Sequence, residues 1–448
     1  MLSPGVVWGV WGLWHGWLVG SGLLQQPILE PPVRATTLLN RVLDLPGLRV
    51  VGVDLDDPAG GGSVVIDVCL RRRVLACPVC SFTTFRRYDR RDVDSSWRHL
   101  DLGGRPCRLR MRRRRLACPV HRVVTEGVPF ARPGARFTSD FEDLVVWLVT
   151  RSDKSTVATF ARVAWRTVGA MCQRVSADVL DPERLSGLVN IGVDEISWRK
   201  HHRYLTLVTD HATSTVVWGA PGKNAATLGR FFDELSQEAT DQIEAVSMDL
   251  GLAYPKAVRE RAPCAVICFD PFHVVKLAGD ALDSVRRQVW QSARRYPDKR
   301  IAAKFKGARW ALLKNPQDLT EVQAITLKAL RTDGGVLWRA YQLKESLRAV
   351  FAGDLPNVDV MELLDRWCSR AQRSRIPEFV KTAATIRKNK AGITAAIERQ
   401  LSNGRHEGLN NKIRTMTRRA YGFHSPEAAL ALIMLTCGPT TLTLPYHT

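Results

Sequence analysis

The chain has 448 residues, too many for one ordinary domain and enough for two or three with cores of their own. Its 65 Lys and Arg against 44 Asp and Glu give a formal charge of +21, the balance of a protein that meets a polyanion, nucleic acid first among them. Ten scattered cysteines exclude a small secreted disulfide scaffold.

Residues 1–29 carry no Asp, Glu, Lys or Arg and hold Trp8, Trp11, Trp14 and Trp17 among glycines. The stretch barely reaches the ~20 apolar residues of a membrane span, no basic residue precedes it and no clear cleavage site follows. Residues 1–35 therefore read as an upstream extension from a misassigned start, and no membrane is expected as a partner. Residues 36–126 read as a DNA-binding domain. Short apolar segments from Leu38 to Val68 are broken by Pro46, Pro58 and Gly60-Gly61-Gly62, and residues 71–122 then hold sixteen Arg, no Lys and four Asp. About +12 of the charge is packed there, as a surface facing phosphate requires. Cys77-Pro78-Val79-Cys80 and Cys118-Pro119-Val120-His121 form two knuckles separated by 37 residues. Three thiolates and one imidazole at that spacing close a tetrahedral Zn²⁺ site of the structural kind, which would present Arg112, Arg113, Arg114 and Arg115 to phosphate. Cys107 has no partner at knuckle spacing.

After the Pro- and Gly-rich loop at 127–136, residues 137–182 take helical spacing, with Ser139 or Asp140 as the N-cap. Ser155-Thr156-Val157-Ala158 opens one short helix, and Ala164-Trp165-Arg166-Thr167-Val168 leads into a second, the spacing of a helix-turn-helix, with Arg166 a candidate DNA contact.

β-Branched apolar runs follow at Leu188 to Ile196, Tyr204 to Thr209, Thr215 to Trp218, Ile243 to Ser247 and Ala265 to Phe269, with helical patterns at Ala225 to Glu238 and Ala253 to Arg261. Short links make the first three strands antiparallel, and helical crossovers make the later ones parallel. The fold class is α/β with a ribonuclease H-like core over 188–273 and 402–436, although other mixed folds can be written from the same string. Residues 274–401 form a basic helical insertion. In a ribonuclease H-like sheet the first and fourth strands adjoin, so Asp194 and Asp249 converge as oxygen ligands for a hard cation, and Glu407 from a late helix is the candidate third. Glu195, Asp210 and Asp270 are rivals, and His273 either orients DNA or a catalytic group or is a structural histidine. On the helix from Arg405 to Ala420, Glu407, Asn410, Asn411, Arg414 and Arg418 share one face, while Leu409, Ile413, Met416 and Ala420 take the other.

The paired knuckles, Ile191-Gly192-Val193-Asp194-Glu195, Met248-Asp249 with Tyr254, Asp270-Pro271-Phe272-His273-Val274 and Asn403-Gly404-Arg405-His406-Glu407-Gly408-Leu409-Asn410-Asn411-Lys412-Ile413 occur in this order. Together they resemble the ISL-three family of bacterial insertion-sequence transposases, from about Leu38 to Leu435. The resemblance implies an Asp-Asp-Glu catalytic domain of ribonuclease H-like fold in which Asp194, Asp249 and Glu407 hold Mg²⁺ (or Mn²⁺), beside structural Zn²⁺ on Cys77, Cys80, Cys118 and His121. It implies double-stranded DNA as partner, both element ends and target, with Arg414 and Arg418 near phosphate. A homo-oligomer assembled on DNA in the bacterial cytoplasm, associated with the nucleoid, is the corresponding expectation. A non-catalytic regulator derived from such an enzyme would have lost an acid, and a stand-alone nuclease would have little use for the zinc and helix-turn-helix modules.

Overall fold

The computed structural model describes residues 34–45, 47–56, 62–199, 203–251, 253–295, 297, 299–333, 335–351, 355–401, 404–420 and 422–445, and the Trp-rich start lies outside them. The described residues divide into two compact units, residues 34–97 with 101–133 and residues 98–100 with 134–445.

In the first unit α1 (Ala35–Leu43) packs on β1 (Leu48–Asp56), which pairs antiparallel with β2 (Ser63–Leu70). Two short strands, β3 (Leu75–Ala76) and β4 (Thr83–Thr84), form a hairpin, followed by β5 (Asp89–Arg90), β6 (Ser95–Leu102), β7 (Arg105–Met111), β8 (Arg114–Cys118) and β9 (Arg122–Thr125). One sheet runs β1-β2-β7-β6 and another β5-β8-β9. Gly103 and Gly104, with φ of 58° and 76°, supply the left-handed pair that a two-residue hairpin between β6 and β7 demands. The arginine-rich sequence is thus largely strand. In β7, Cys107, Leu109 and Met111 point into the core with Ile66 and Trp97, while the alternate Arg108 and Arg110 face outward.

Arg114 departs from that pattern. Its guanidinium and backbone N–H both donate to Glu126, a side chain 2 % exposed, and its remaining N–H groups reach the carbonyls of Arg72 and Arg73. Replacing Arg114 by Met would leave a buried carboxylate without its cation, and such losses cost about 3 kcal/mol. Denaturant melts of Arg114→Met should show a shift of that size in the first unit, and a change below about 1 kcal/mol would contradict this structural role.

The second unit begins with α2 (Ser139–Arg151), α3 (Lys154–Ala161) and α4 (Trp165–Val179). The residue that caps α2 is Thr138, whose hydroxyl accepts from Phe141 N at 3.3 Å, one position before the expected Ser139 or Asp140. Asp153 caps α3, Arg162 ends it at φ 54°, and a three-residue turn at 162–164 leads into α4. Phe141, Val145, Val157, Val168 and Met171 lock the three helices together, and Arg174 of α4 pairs with the fully buried Glu142 of α2.

The sheet that follows holds β10 (Asn190–Arg199), β11 (Arg203–Asp210), β12 (Thr215–Pro221), β13 (Ala245–Met248) and β14 (Val266–Phe269) in the order β12-β11-β10-β13-β14. The first three pair antiparallel, and β13 runs parallel to both β10 and β14. The expected single helix from Ala225 divides into α5 (Ala225–Asp233) and α6 (Gln237–Asp241), because Ser236 recaps the chain through Ala239 N. Next is α7 (Ala253–Arg261), with the expected bounds.

The helical insertion comprises α8 (Pro271–Ala293), α9 (Lys299–Gly307), α10 (Arg309–Leu313), α11 (Glu321–Asp333), α12 (Gly335–Val350), α13 (Asn357–Arg373), α14 (Pro377–Lys388) and α15 (Lys390–Glu398), with Pro356 and Pro377 at helix starts. After α16 (Gly404–Arg419), which ends near the expected place, comes a further helix that the sequence pattern does not separate, α17 (Pro426–Cys437). Beyond its first turn it is almost wholly apolar, and it packs against α4 and β12. Two cores sandwich the sheet. Ile191 and Val193 of β10 join α5, α7 and α8, whereas Ile196 and Trp198 join α2, α4, α16 and α17. By the strand's alternation Asp194 belongs to the α16 side.

Candidate active site and zinc cluster

Parallel pairing of Val193 with Met248 brings the next residues of both strands, Asp194 and Asp249, to the same end of the sheet. They line a cavity of about 270 Å³ with Glu195, Lys223, Tyr254, His273, Lys276 and Asp280. Burial raises the Asp194 carboxyl above its usual range, and the neighbouring Asp249 charge adds to the effect. The Glu195 N–H and the Asn410 amide, which donates to Oδ2, only partly offset it. Asp249 Oδ1 is buried, and His273 Nε2 meets it at 2.6 Å. Burial works against the His273 cation, yet the adjacent Asp249 wins and holds its pKa above the ordinary value. Two neighbouring carboxylates at one end of the sheet, Asp194 largely desolvated and Asp249 partly exposed, are a donor set that a hard divalent cation fits.

The rival acids are otherwise engaged. Asp270 is 3 % exposed and caps α8 by accepting from Phe272 N at 3.1 Å. Asp210 closes the turn after β11 through Ala212 N, Thr213 N and the Thr213 hydroxyl. Glu195 is exposed at the cavity rim. Glu407 lies within α16, three positions before Asn410, and its side chain is outside the described residues. Ile413 and Met416 of α16 and Ala420 just after it are buried, and Arg414 and Arg418 exposed, as the spacing requires. Asn410, Lys223, Lys276 and Asp280 are site neighbours that sequence reasoning did not single out for this cavity. The signal for two of them was present, since His273, Lys276 and Asp280 recur at helical spacing after the Asp270 cap.

In the first unit the ligand atoms of Cys77, Cys80, Cys118 and His121 all lie within 4.8 Å of one another. Cys80 Sγ stands 3.7 Å from Cys118 Sγ, and His121 Nδ1 stands 3.6 Å from both Cys77 and Cys118 Sγ. A tetrahedron with Zn–S of about 2.3 Å has S···S edges of about 3.7 Å, so the four groups fit zinc. Burial opposes the Cys118 thiolate, but the N–H groups of His121 and Val120 and the His121 ring outweigh it and lower its pKa to about 6. Cys107 is fully buried in the sheet core, away from this cluster.

The four consecutive arginines do not act alike. Arg112 is exposed beside Asp94, and Arg115 pairs with Asp89 over the Tyr88 ring. Arg113 is turned inward to Ser95 and the Trp97 ring, and Arg114 to Glu126, so these two are engaged in holding the fold. Arg166 is exposed on the first turn of α4.

A three-helix unit with a short turn and an exposed arginine opening its last helix, in a chain this basic, has the build of a DNA-binding module, and with the convergent acid pair it defines the class of DNA-binding proteins that carry a carboxylate site. Residues 191–433 match the sequence model of the family described as "Transposase", of the ISL3 and DDE type. Residues 126–176 match "Helix-turn-helix domain of transposase family ISL3", and residues 73–121 match "zinc-finger of transposase IS204/IS1001/IS1096/IS1165". The chain is 43 % identical over 411 residues, 87 % of its own length and 92 % of the relative's, to the transposase for insertion sequence element IS1557 of Mycobacterium tuberculosis strain CDC 1551 / Oshkosh, with the same figures for strain H37Rv. It is 32 % identical over 283 residues, 62 % of its length and 68 % of the relative's, to the transposase for insertion sequence element IS1001 of Bordetella parapertussis. The chain belongs to the ISL3 family of DDE-type insertion-sequence transposases. No described helix is long and apolar enough to cross a membrane.

Proposed function

We propose that the chain binds the terminal inverted repeats of its own element and cuts and joins their strands by direct phosphoryl transfer, without a covalent protein intermediate. The convergence of Asp194, whose carboxyl is raised by burial and by the Asp249 charge, with Asp249 at one end of the sheet is the observation that carries this reading. Glu407 on α16 is proposed as the third acid, and the sheet order β12-β11-β10-β13-β14 supports a ribonuclease H-like core over 188–273 and 402–436 around the 274–401 insertion. Two Mg²⁺ or Mn²⁺ ions held there would activate the attacking hydroxyl and stabilise the leaving 3′ oxygen. Asn410 and His273 orient one acid each. Zinc on Cys77, Cys80, Cys118 and His121 folds the 36–126 module, and the 137–182 helix-turn-helix reads the repeat through Arg166. Arg112, Arg115, Arg414 and Arg418 are the proposed phosphate contacts, with Arg113 and Arg114 supporting them from within. Two element ends call for at least two copies of the chain, hence an oligomer on nucleoid DNA in the cytoplasm.

Sequencing outward from the gene should reveal matched inverted repeats. A duplex carrying one of them should be nicked at the repeat's edge by purified protein with Mg²⁺ or Mn²⁺ and left intact with EDTA. Binding without nicking under all metal conditions would favour the non-catalytic regulator instead.

A further inference from the structure

One helix joins the acid pair to the helices proposed to read the repeat. Within α16 the Asn410 amide donates to Asp194 Oδ2, and the proposed third acid, Glu407, lies one turn earlier. At the far end of α16 Arg419 turns its guanidinium to α2, where Nη1 donates to the Arg151 carbonyl at 2.9 Å and Nη2 to the Thr150 carbonyl at 2.8 Å. Those residues end α2, so the fork satisfies carbonyls that have no partner within their own helix and sets a cation at the negative end of its dipole. Asn410 and Arg419 are separated by about 14 Å of helix. Between them Ile413 and Met416 enter the same apolar core as Phe141 and Val145 of α2 and Val168 and Met171 of α4. A second contact follows just past α16. His424 stands edge-on to Trp165 with ring centroids 5.9 Å apart, Lys154 Nζ lies 3.4 Å over the same ring, and a Cβ on Gly169 of α4 would meet both at 2.8 Å. Trp165 opens α4 beside Arg166.

If α2, α3 and α4 hold the repeat and the acid pair cuts a phosphate, the cut falls where the distance between the two puts it. A helix packed along one face spans that distance without bending, which leaves the hold of its far end on α2 to fix the spacing. Arg419 supplies that hold through two bonds from one planar, pre-organised fork. We propose that Arg419 is a positioning residue: by fastening α16 to the end of α2 it sets the spacing between the recognised repeat and the cut phosphate. Lys154, Trp165 and His424 brace the same junction from the side of α3 and α4. The inference rests on Asp194 and Asp249 being the cleavage site and α2 to α4 the repeat reader.

The test is the nicking pattern of the full chain on an end-labelled duplex of the terminal repeat, read beside amide exchange of the same complex in EDTA, where no strand is cut. The wild type should nick at one phosphate, and repeat binding should slow exchange in the last turns of α16. Arg419→Met should still bind the repeat, spread its nicks over neighbouring phosphates and lose about a hundredfold in rate at the original one, the cost of a reacting group misplaced by an ångström. It should also lose the slowed exchange. Arg419→Lys keeps a cation that can donate to the same carbonyls and should restore the single position. Arg418→Met removes equal charge from the same turn and should weaken binding without moving the nick. Nicks by Arg419→Met at an unmoved phosphate, the mark of lost stability alone, would overturn the proposal. So would unchanged exchange in that variant, which is read whether or not the acid pair cuts. If Asp194→Asn nicks normally while Arg419→Met scatters its nicks and loses the slowed exchange, the acid pair is misassigned and the fastening of α16 to α2 stands.

Discussion

Loss of zinc from Cys77, Cys80, Cys118 and His121 is expected to unfold the ribbon that these residues close. The buried apolar material around them amounts to Leu75 and Leu116 with the two cysteines, helped only by the partly buried Phe82 and Val124. A core of that size cannot offset the chain entropy of two knuckles and their hairpins. Structural zinc contributes about 10–16 kcal/mol in comparable small modules, so a bound zinc would outweigh the apolar core in holding this one folded. Protein purified without chelator should hold one zinc per chain, and the Cys77→Ser, Cys118→Ser double substitution none. Amide exchange should then quicken across β3, β4, β8 and β9 and stay slow in β10 and β13. Wild type without zinc, or a double variant with unaltered exchange, would show that the cluster is not a metal site.

The sequence carried the sheet well because its strands obey simple periodicities. β10 and β11 alternate or run apolar over their whole length, and the strand-helix alternation after Thr215 leaves few ways to join them. Boundaries slipped where side chains decided them. Thr138 captures the start of α2 because its hydroxyl, and not that of Ser139, reaches Phe141 N. Ser236 breaks a continuous helical pattern in two. α17 has almost no polar face to give it a period, and its start is marked instead by the Ser425 hydroxyl, which accepts from Ala428 N, and by Pro426 in its first turn.

The candidate site was legible as acids and not as their surroundings. That Asp194 and Asp249 meet at one end of the sheet follows from strand order, whereas the capping bond of Asp270 is seen only in the structure. Asn410 lies 216 positions from Asp194 and meets it only through the packing of α16, which no local pattern announces. The run Arg112 to Arg115 shows the opposite failure. Charge counted along the chain cannot tell an arginine facing solvent from one whose partner is the buried Glu126, twelve residues on.

Catalysis by the acid pair is tested most directly by nicking of the terminal repeat with Asp194→Asn, Asp249→Asn, Glu407→Gln and Asp270→Asn, each scored beside repeat binding. The first three keep side-chain size and remove a metal-binding charge, and metal assistance is worth several kcal/mol to phosphoryl transfer, on the order of a thousandfold in rate. Their binding should stay near wild type, since Lys and Arg contacts with phosphate supply most of it and give it a steep salt dependence. Asp270→Asn should nick almost normally, because Asn caps a helix about as well as Asp. Loss of nicking in Asp194→Asn, Asp249→Asn and Glu407→Gln, with Asp270→Asn active, is the expected outcome. Normal nicking by Asp249→Asn with an inactive Asp270→Asn would contradict it.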